Sequence, residues 1–224
     1  MNNFLIFGSS GLTGSLFLDL VKKNKSSYHL YLRNINDSEN FADQTIFDFE
    51  NIPEFPKSKI LVICLGYPLD FLELIYMKKE VREKFTKTDF DLVTKIAKKA
   101  SDQGIEEIAI ISAVGSNPKS LNFYLKVKGL MEKEILSLDF KKIIFIKPSH
   151  LLGYRDASRI DIWVRLIEFF GKFFGFLFIG PLKKFKNIEA STVASELLTA
   201  INGEKLNLPF LIETYEKNRD FKNN

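Results

Sequence analysis

Metal-binding and thiol groups are scarce in this sequence, which contains one cysteine and two histidines in 224 residues. No H-x-x-x-H or C-x-x-C spacing occurs, so neither a zinc site nor a Cys–His nucleophile can be assembled, and we expect no metal centre. A single cysteine also excludes an intramolecular disulfide. Cys64 lies inside the apolar run from Ile60 to Leu65, where we expect it to pack in a core, and its reduced state fits the cytoplasm.

Several other signatures are missing as well. The sequence has no G-x-S-x-G elbow of a serine hydrolase, and no Gly-Lys-Ser/Thr follows its first glycines, which excludes a Walker A loop. No basic stretch precedes the first apolar run, which stops after four residues at Gly8, so we expect no signal peptide and a cytoplasmic location. The net charge of +4 comes from 26 scattered lysines rather than from an arginine-rich stripe, so we expect no nucleic-acid partner.

Long uninterrupted apolar runs are also absent. The nearest approach, residues 162–182, contains six Phe and one Trp, but Arg165, Glu168 and Lys172 interrupt it, so we expect no transmembrane helix. We interpret this segment as a helix and loop that pack over a site or in a dimer interface. The alternative is that Phe169 to Phe178 contacts a membrane surface. The protein could accordingly be a monomer or a homodimer.

Six short apolar runs, each continuous rather than alternating, indicate strands that are buried on both faces. The runs are Asn3 to Phe7, His29 to Arg33, Gln44 to Phe49, Lys59 to Leu65, Glu107 to Ser112 and Lys142 to Lys147. Helical patterns lie at Asp89 to Gln103, Phe123 to Leu138 and Ala190 to Ile201. This alternation predicts an α/β fold with a doubly wound parallel sheet of Rossmann type, strand order 3-2-1-4-5-6 and helices on both faces. We expect one domain, 1–224, with a cofactor-binding core at 1–148 and a small substrate-site region at 149–224.

The first predicted strand runs into a glycine-rich turn and then into a helix. The turn reads GSSGLTG and has the spacing G-x-x-G-x-x-G, so it departs from the G-x-G-x-x-G of many dinucleotide-binding proteins. Glycines let the backbone approach phosphate oxygens, and a helix start presents unpaired N–H groups, so we expect a dinucleotide pyrophosphate here. A tight strand-to-helix connection with no ligand is the alternative. The residues predicted to contact the cofactor are Gly8, Ser10, Gly11, Leu12, Thr13 and Gly14.

Cofactor choice is set in such folds at the end of the second strand, where the adenosine ribose lies. An acidic residue there favours NAD(H), and a cation favours NADP(H). This sequence has Arg33 and Asn34 at that point, and a guanidinium can bind a 2′-phosphate, so we expect NADP(H), with NAD(H) possible.

Tyr124 and Lys128 lie four residues apart in a predicted helix and therefore on one face. A neighbouring ammonium stabilises a phenolate, which lets a Tyr exchange a proton with a substrate hydroxyl or carbonyl. Ser112 ends the fifth predicted strand at the edge of the sheet where ligands bind, and it could hold the substrate oxygen beside Tyr124. Ser116 competes with Ser112 for this role.

Through GSSGLTG, the strand-end serine and YLKVK, the chain resembles the atypical members of the short-chain dehydrogenase/reductase superfamily. The segments LNFYLKVKGLMEKEI, VICLG, IFDFEN and KPSHLLGYR resemble the HIV Tat-interacting oxidoreductase-like group within it. The resemblance implies that Tyr124 is the general acid/base, that Lys128 binds the nicotinamide ribose and lowers the Tyr124 pKa, and that Ser112 orients the substrate.

The same resemblance implies further cofactor contacts. Asp48 and Phe49 would lie at the adenine, and Pro148 and Ser149 would approach the nicotinamide amide. Contacts with the adenine ribose and pyrophosphate would come from Cys64, Leu65 and Gly66. The sequence Lys-Pro-Ser-His departs at this point from the usual Arg-Pro-Gly of relatives, and we assign no catalytic role to His150.

Together these features predict an NADP(H)-dependent oxidoreductase that moves hydride between the nicotinamide and a small carbonyl or alcohol substrate. A second hypothesis is a non-catalytic NAD(P)H-binding module that acts as a redox sensor, assembly factor or interaction partner.

Overall fold

The structure, a computed structural model, describes residues 4–34, 43–149, 151–152 and 188–217. The predictions for the Phe-rich segment at 162–182 and for His150 lie outside the described residues.

One seven-stranded sheet forms the centre of the molecule. Its strands are β1 (Phe4–Phe7), β2 (Tyr28–Leu32), β3 (Gln44–Ile46), β4 (Ile60–Ile63), β5 (Glu107–Ile111), β6 (Lys142–Ile146) and β9 (Ile212–Glu216). They lie in the order β3-β2-β1-β4-β5-β6-β9, in which the first six are parallel and β9 pairs antiparallel with β6 at the edge. A separate parallel pair consists of β7 (Leu151–Leu152) and β8 (Ile188–Glu189).

Helices connect these strands. They are α1 (Leu12–Lys23), α2 (Phe71–Ile75), α3 (Lys79–Thr86), a π-helical turn (Lys87–Leu92), α4 (Val93–Asp102), α5 (Phe123–Ser137), α6 (Ala190–Asn202) and a 3-10 turn (Pro209–Leu211). The connection from Gly66 to the π-helical turn therefore contains two short helices at the carboxyl edge of the sheet.

The sheet separates two hydrophobic cores because successive side chains of a strand point to opposite faces. In β1, Phe4 and Ile6 enter the core covered by α1 and α6, whereas Leu5 and Phe7 enter the core covered by α4 and α5. All four residues are almost fully buried, which explains why the run in the sequence is continuous.

The predicted fold class and strand order are confirmed, and the differences lie at element ends. β3 stops at Ile46 rather than Phe49, because the Asp48 carboxylate accepts hydrogen bonds from the N–H groups of Glu50 and Asn51 and turns the chain. β1 ends at Phe7 as predicted, and β2, β4, β5 and β6 end one or two residues earlier than predicted.

β9 was not predicted as a strand. Only the apolar residues from Pro209 to Ile212 stand out in the sequence, and the remaining strand residues are exposed at the sheet edge. An edge strand with mostly charged and polar residues lacks the pattern of a buried strand.

Candidate functional site

The glycine turn is held tightly against the end of β4. Gly8 has a φ of +84°, and a Cβ built on it would lie 2.6 Å from the carbonyl carbon and oxygen of Cys64. A Cβ on Gly14 would lie 2.1 Å from the carbonyl oxygen of Gly8. The first and third glycines are therefore required by packing within the chain itself.

Gly11 has a different position. It is the N-cap of α1 and provides no side-chain hydrogen bond to the first turn, which begins with Leu12 and Thr13. A Cβ on Gly11 would lie 3.2 Å from the Gly8 carbonyl oxygen, and the neighbouring Ser10 is exposed. Because no side chain caps these amides and no Cβ shields them, the start of α1 fits a pyrophosphate group.

The residues predicted to contact the adenosine half of the cofactor differ in whether their side chains are exposed or already bonded within the chain. Arg33 and Asn34 are exposed directly after β2, at the carboxyl end of that strand. The Asp48 side chain instead closes its own turn, and those hydrogen bonds from Asn51 and Glu50 lower the pKa of its carboxyl group.

Phe49 is half-buried, with the Lys87 ammonium 5.3 Å from its ring centre. It lines a groove of about 620 Å³ that reaches Arg82 and Phe123.

After β4, Cys64 and Leu65 are partly buried and Gly66 is exposed. Burial raises the pKa of the Cys64 thiol to about 12, so this side chain is a neutral thiol under ordinary conditions. On the other side of β5, the carbonyl of buried Pro148 accepts a hydrogen bond from Val114 at 3.0 Å, and Ser149 follows it, half-buried. These residues all lie at the carboxyl edge of the sheet.

Helix α5 carries the predicted acid/base pair. It begins at Phe123 because the Asn122 side chain accepts a hydrogen bond from the Leu125 N–H at 3.0 Å. Tyr124 lies in the first turn, with its ring centre 5.5 Å from that of Phe85, and Lys128 follows one turn later with 5% exposure. The structure thus brings half-buried Tyr124 and buried Lys128 together on one face of α5.

The two side chains influence each other's ionisation. Burial raises the pKa of Tyr124, while the nearby Lys128 ammonium partly opposes that rise and Asp89 adds to it. Burial by itself would lower the pKa of Lys128, but the charge and hydrogen bond of Asp89, together with Tyr124 and Glu132, outweigh it and the pKa is raised. Lys128 is therefore an ammonium ion beside a neutral phenol. Lys128 lowers the Tyr124 pKa, but desolvation is the larger effect, so the net shift of this pKa is upward.

Asp89 is a buried residue of this site that was not predicted from the sequence. Its Oδ1 atom lies 2.8 Å from Lys128 Nζ, and its Oδ2 atom accepts a hydrogen bond from the Tyr67 N–H at 2.7 Å. A signal was present in the sequence: Asp89 precedes Leu92, Val93 and Ile96 by three, four and seven residues, so it falls on the apolar face of the predicted helix.

Ser112 and Ser116 were alternatives for one role, and the structure places both at one carboxylate. Each hydroxyl donates to Oε1 of Glu132, the contact of Ser116 measuring 2.5 Å. The other oxygen of Glu132 lies 3.0 Å from Lys147 Nζ, which also binds Glu213 on β9. Glu132 lies one turn after Lys128 on α5, and sequence reasoning missed it too.

A groove of about 370 Å³ opens beside Tyr124. Its walls come from the connection after β4 and from the start of α5, and they include Tyr76, Met77, Arg82, Leu121, Phe123 and Lys126. The Arg82 side chain donates to the Met77 carbonyl at 2.9 Å and lies 4.9 Å from the Phe123 ring centre. A small molecule in this groove would meet Tyr124 together with the cations Arg82 and Lys126 and the carboxylate of Glu73.

Across the described ranges, no helix has both the length and the apolar character needed to cross a bilayer. The same ranges contain no group of three or more His, Cys, Asp or Glu side chains arranged to hold a metal ion.

The fold is that of NAD(P)-binding proteins of the short-chain dehydrogenase/reductase type. Among similar structures are UDP-N-acetylglucosamine 4-epimerase from Bacillus cereus, at a TM-score of 0.63 and 15% identity, covering 92% of this chain and 75% of that one. The human epimerase family protein SDR39U1 with NADPH aligns at a TM-score of 0.62 and 13% identity, covering 89% of this chain and 70% of its own. A superfamily member from Agrobacterium tumefaciens with bound NAD gives 0.62 at 12% identity, covering 96% and 79%.

Sequence relatives define the family more closely. Protein FMP52, mitochondrial, of Kluyveromyces lactis is 31% identical over 164 residues, which are 70% of each chain. The protein of the same name from Debaryomyces hansenii is 42% identical over 77 residues, about a third of each chain. This chain belongs to the FMP52 family.

A further relative is Protein HTATIP2 of Rattus norvegicus, 29% identical over 176 residues that cover 74% of this chain and 69% of the other, which agrees with the resemblance to the Tat-interacting group. No protein-family profile matches the sequence.

The expectation of a cytoplasmic protein is wrong. FMP52 proteins from four organisms that match this chain are all named as mitochondrial proteins. The expectation rested on a single cysteine and on the amino-terminal composition, and a reduced thiol does not distinguish one reducing compartment from another.

Proposed function

We propose that this protein is an NADP(H)-dependent oxidoreductase that interconverts a small carbonyl compound and its alcohol. The observation that carries the proposal is Tyr124, a half-buried phenol that shares a face of α5 with the charged Lys128 and opens onto a groove. A proton donor beside a fixed cation in a partly enclosed site is the arrangement that general acid catalysis requires.

The chain's residues fit a nicotinamide dinucleotide. The uncapped start of α1 at Gly11, Leu12 and Thr13 would hold the pyrophosphate, and Arg33 with Asn34 would bind the adenosine ribose and its 2′-phosphate. The bound nicotinamide supplies or accepts the hydride. Structures of similar fold hold NADPH or NAD, so the preference for NADP(H) rests on Arg33.

Tyr124 donates its proton to the substrate oxygen during reduction. Its raised pKa keeps the phenol protonated at physiological pH, as a proton donor must be. Lys128 stabilises the phenolate that remains, because an ammonium ion favours a nearby anion most strongly where water is excluded.

The contact of Ser112 with Glu132 suggests how this serine would hold the substrate oxygen. Since its hydroxyl proton is directed at Glu132, the Ser112 oxygen presents lone pairs and can accept a hydrogen bond from an alcohol or from a phenol. It cannot at the same time donate to a carbonyl oxygen. We infer that Ser112 receives the alcohol form of the substrate, with Ser116 held on the same carboxylate as its support.

The substrate is a small molecule. The groove beside Tyr124 is about 370 Å³, near the lower end of ligand pockets, and its charged lining residues are Arg82, Lys126 and Glu73. We further propose that the protein works in mitochondria, as the names of its FMP52 relatives state for them. Fractionation with an organelle marker would test this, and a purely cytosolic signal would contradict it.

One observation favours a second candidate, a non-catalytic NAD(P)H-binding module. Ser112 and Lys128 are both already bound by carboxylates of the chain, Glu132 and Asp89. A binding module would keep these contacts in every state, whereas an enzyme must share Lys128 and Ser112 with its ligands.

Calorimetry and turnover together decide between the two candidates. Titration with NADPH and NADH measures binding, and NADPH oxidation against a panel of aldehydes, ketones and quinones measures reaction. Replacing Tyr124 by Phe should reduce turnover by roughly 100-fold or more while the NADPH dissociation constant changes little. Tyr76→Phe, in the same groove, is the control. Binding of NADPH without any turnover by the wild type would support the binding module, and absence of binding to either nucleotide would reject both.

A further inference from the structure

Asp89 and Lys128 form an ion pair that is almost completely shielded from water. Their side chains are 2% and 6% exposed, and the Oδ1–Nζ distance is 2.8 Å. Neither the glycine turn nor Tyr124 explains why a carboxylate is buried at this point. Removing one partner of such a pair leaves an uncompensated charge in the interior, which is strongly unfavourable.

The second oxygen of Asp89 ties the pair to another part of the site. Oδ2 accepts a hydrogen bond from the backbone N–H of Tyr67 at 2.7 Å, and Oδ1 lies 3.7 Å from the position of a Cβ built on Gly66. Asp89 therefore connects the loop after β4 with Lys128 on α5.

A local change of helix type helps to place Asp89. It lies within the π-helical turn Lys87–Leu92, which has one more residue per hydrogen-bonded turn than an α-helix and is frequent at functional sites. Asp89 is 1% exposed, while Asp91 two residues later is exposed.

Lys128 is fixed from several directions. Its ammonium also donates to the carbonyl of Ile111 at 3.3 Å, at the end of β5. The ionisable groups that act on it are Asp89 from the π-helical turn and Tyr124 and Glu132 from α5. Of these, Asp89 is in direct contact.

We propose that Asp89 is a positioning residue, whose carboxylate keeps Lys128 charged and directed at the acid/base site and joins it to the loop that carries Gly66. The proposal deepens the proposed oxidoreductase function and rests on it for its catalytic meaning. Asp89 acts on the substrate only through Lys128, with its negative charge also favouring the neutral form of Tyr124.

The ionisation of Lys128 can be measured without any turnover. Lysine labelled with ¹³C at Cε gives an NMR signal that titrates with the ammonium group, and Lys128→Met identifies that signal by its loss. In Asp89→Asn the pKa of Lys128 should fall by about 1–3 units, because an adjacent opposite charge is lost while the burial remains. Asp91→Asn, an exposed change in the same turn, should leave the titration unchanged.

Activity should change in the same direction. Asp89→Asn should lose NADPH-dependent rate progressively as pH rises through the lowered pKa of Lys128, whereas a merely structural defect would lower the rate equally at all pH values. An unchanged Lys128 titration in a folded Asp89→Asn protein would overturn the proposal. That result is distinct from a wild type that binds NADPH and turns over nothing, which would overturn the proposed function.

If Asp89→Asn does not fold, the double variant Asp89→Asn, Lys128→Met provides the test. A neutral pair leaves no unpaired buried charge, so the double variant should fold where Asp89→Asn alone does not. A double variant that also fails to fold would overturn the proposal.

Discussion

Ser112 donates its hydroxyl to Glu132, a carboxylate that lies one helical turn after Lys128 on α5. The contact joins the loop after β5 to the helix that carries Tyr124 and Lys128. Glu132 is 8% exposed and also binds Lys147 at 3.0 Å, so one buried side chain holds two serines and a lysine. A serine directed in this way has a fixed role as acceptor, which the position of Ser112 at a strand end could not reveal.

Replacing Glu132 by Gln should lower the free energy of unfolding by roughly 1–3 kcal/mol, because the amide keeps an acceptor for the serines but loses the charge that faces Lys147. Chemical denaturation measures the change. Glu134→Gln, an exposed position two residues later on α5, should alter stability by less than about 0.5 kcal/mol. Equal stability of the two variants would show that the Glu132 network contributes nothing.

The pH dependence of reduction should follow the ionisation of Tyr124. Burial raises its pKa above the ordinary value, so the neutral phenol is fully present below that pKa and is lost only as pH rises through it. The rate of NADPH-dependent reduction at saturating NADPH should therefore stay level across the neutral range and decline only in strongly alkaline solution.

The rate of the reverse alcohol oxidation should increase with pH over the same neutral range, since it requires the phenolate. Steady-state rates in both directions test this. A decline in the rate of reduction between pH 7 and 8 would contradict this prediction, because it would show that a group with a lower pKa than Tyr124 donates the proton.

The fold could be predicted from the sequence because continuous apolar runs and glycine turns are local signals. β1 and β4 are buried on both faces, and their runs show it without knowledge of the neighbouring strands. β9 could not be predicted in this way, since its exposed residues gain their strand conformation from pairing with β6.

The candidate site was predictable only in part. Tyr124 and Lys128 are visible as a spacing within one helix. Asp89 and Glu132 resemble ordinary surface charges of helices, and only tertiary packing reveals that they are buried and bound to Lys128 and Ser112. The residues missed were therefore those whose function depends on contacts between distant segments.

Replacing Gly14 or Gly11 of the first turn by alanine should have different effects on the protein. Gly14→Ala should lower the free energy of unfolding by about 1–3 kcal/mol or more through overpacking, because its Cβ would lie 2.1 Å from the Gly8 carbonyl oxygen. Ser15→Ala, exposed in the same helix, should change it by less than about 0.5 kcal/mol.

Gly11→Ala should separate packing from binding. Its Cβ would meet the Gly8 carbonyl oxygen at 3.2 Å, a contact that small shifts can relieve, so stability should change less than in Gly14→Ala. NADPH affinity should nevertheless fall, because the added methyl group lies at the uncapped start of α1. Calorimetry and denaturation of both variants measure the two effects, and unchanged affinity in Gly11→Ala would favour a turn that serves only to connect β1 with α1.

Arg33 should determine the choice between the two nicotinamide cofactors. Its side chain is exposed at the end of β2, and a charge-assisted contact with a 2′-phosphate contributes enough that Arg33→Ala should weaken NADPH binding by about tenfold or more. NADH lacks this phosphate, so its dissociation constant should change by less than about twofold. Lys57→Ala is the control for the loss of general positive charge. Lys57 is an exposed cation that precedes β4, at the amino ends of the parallel strands, whereas Arg33 lies at their carboxyl ends. Equal weakening of NADPH and NADH in Arg33→Ala would contradict the assignment of the 2′-phosphate to this side chain.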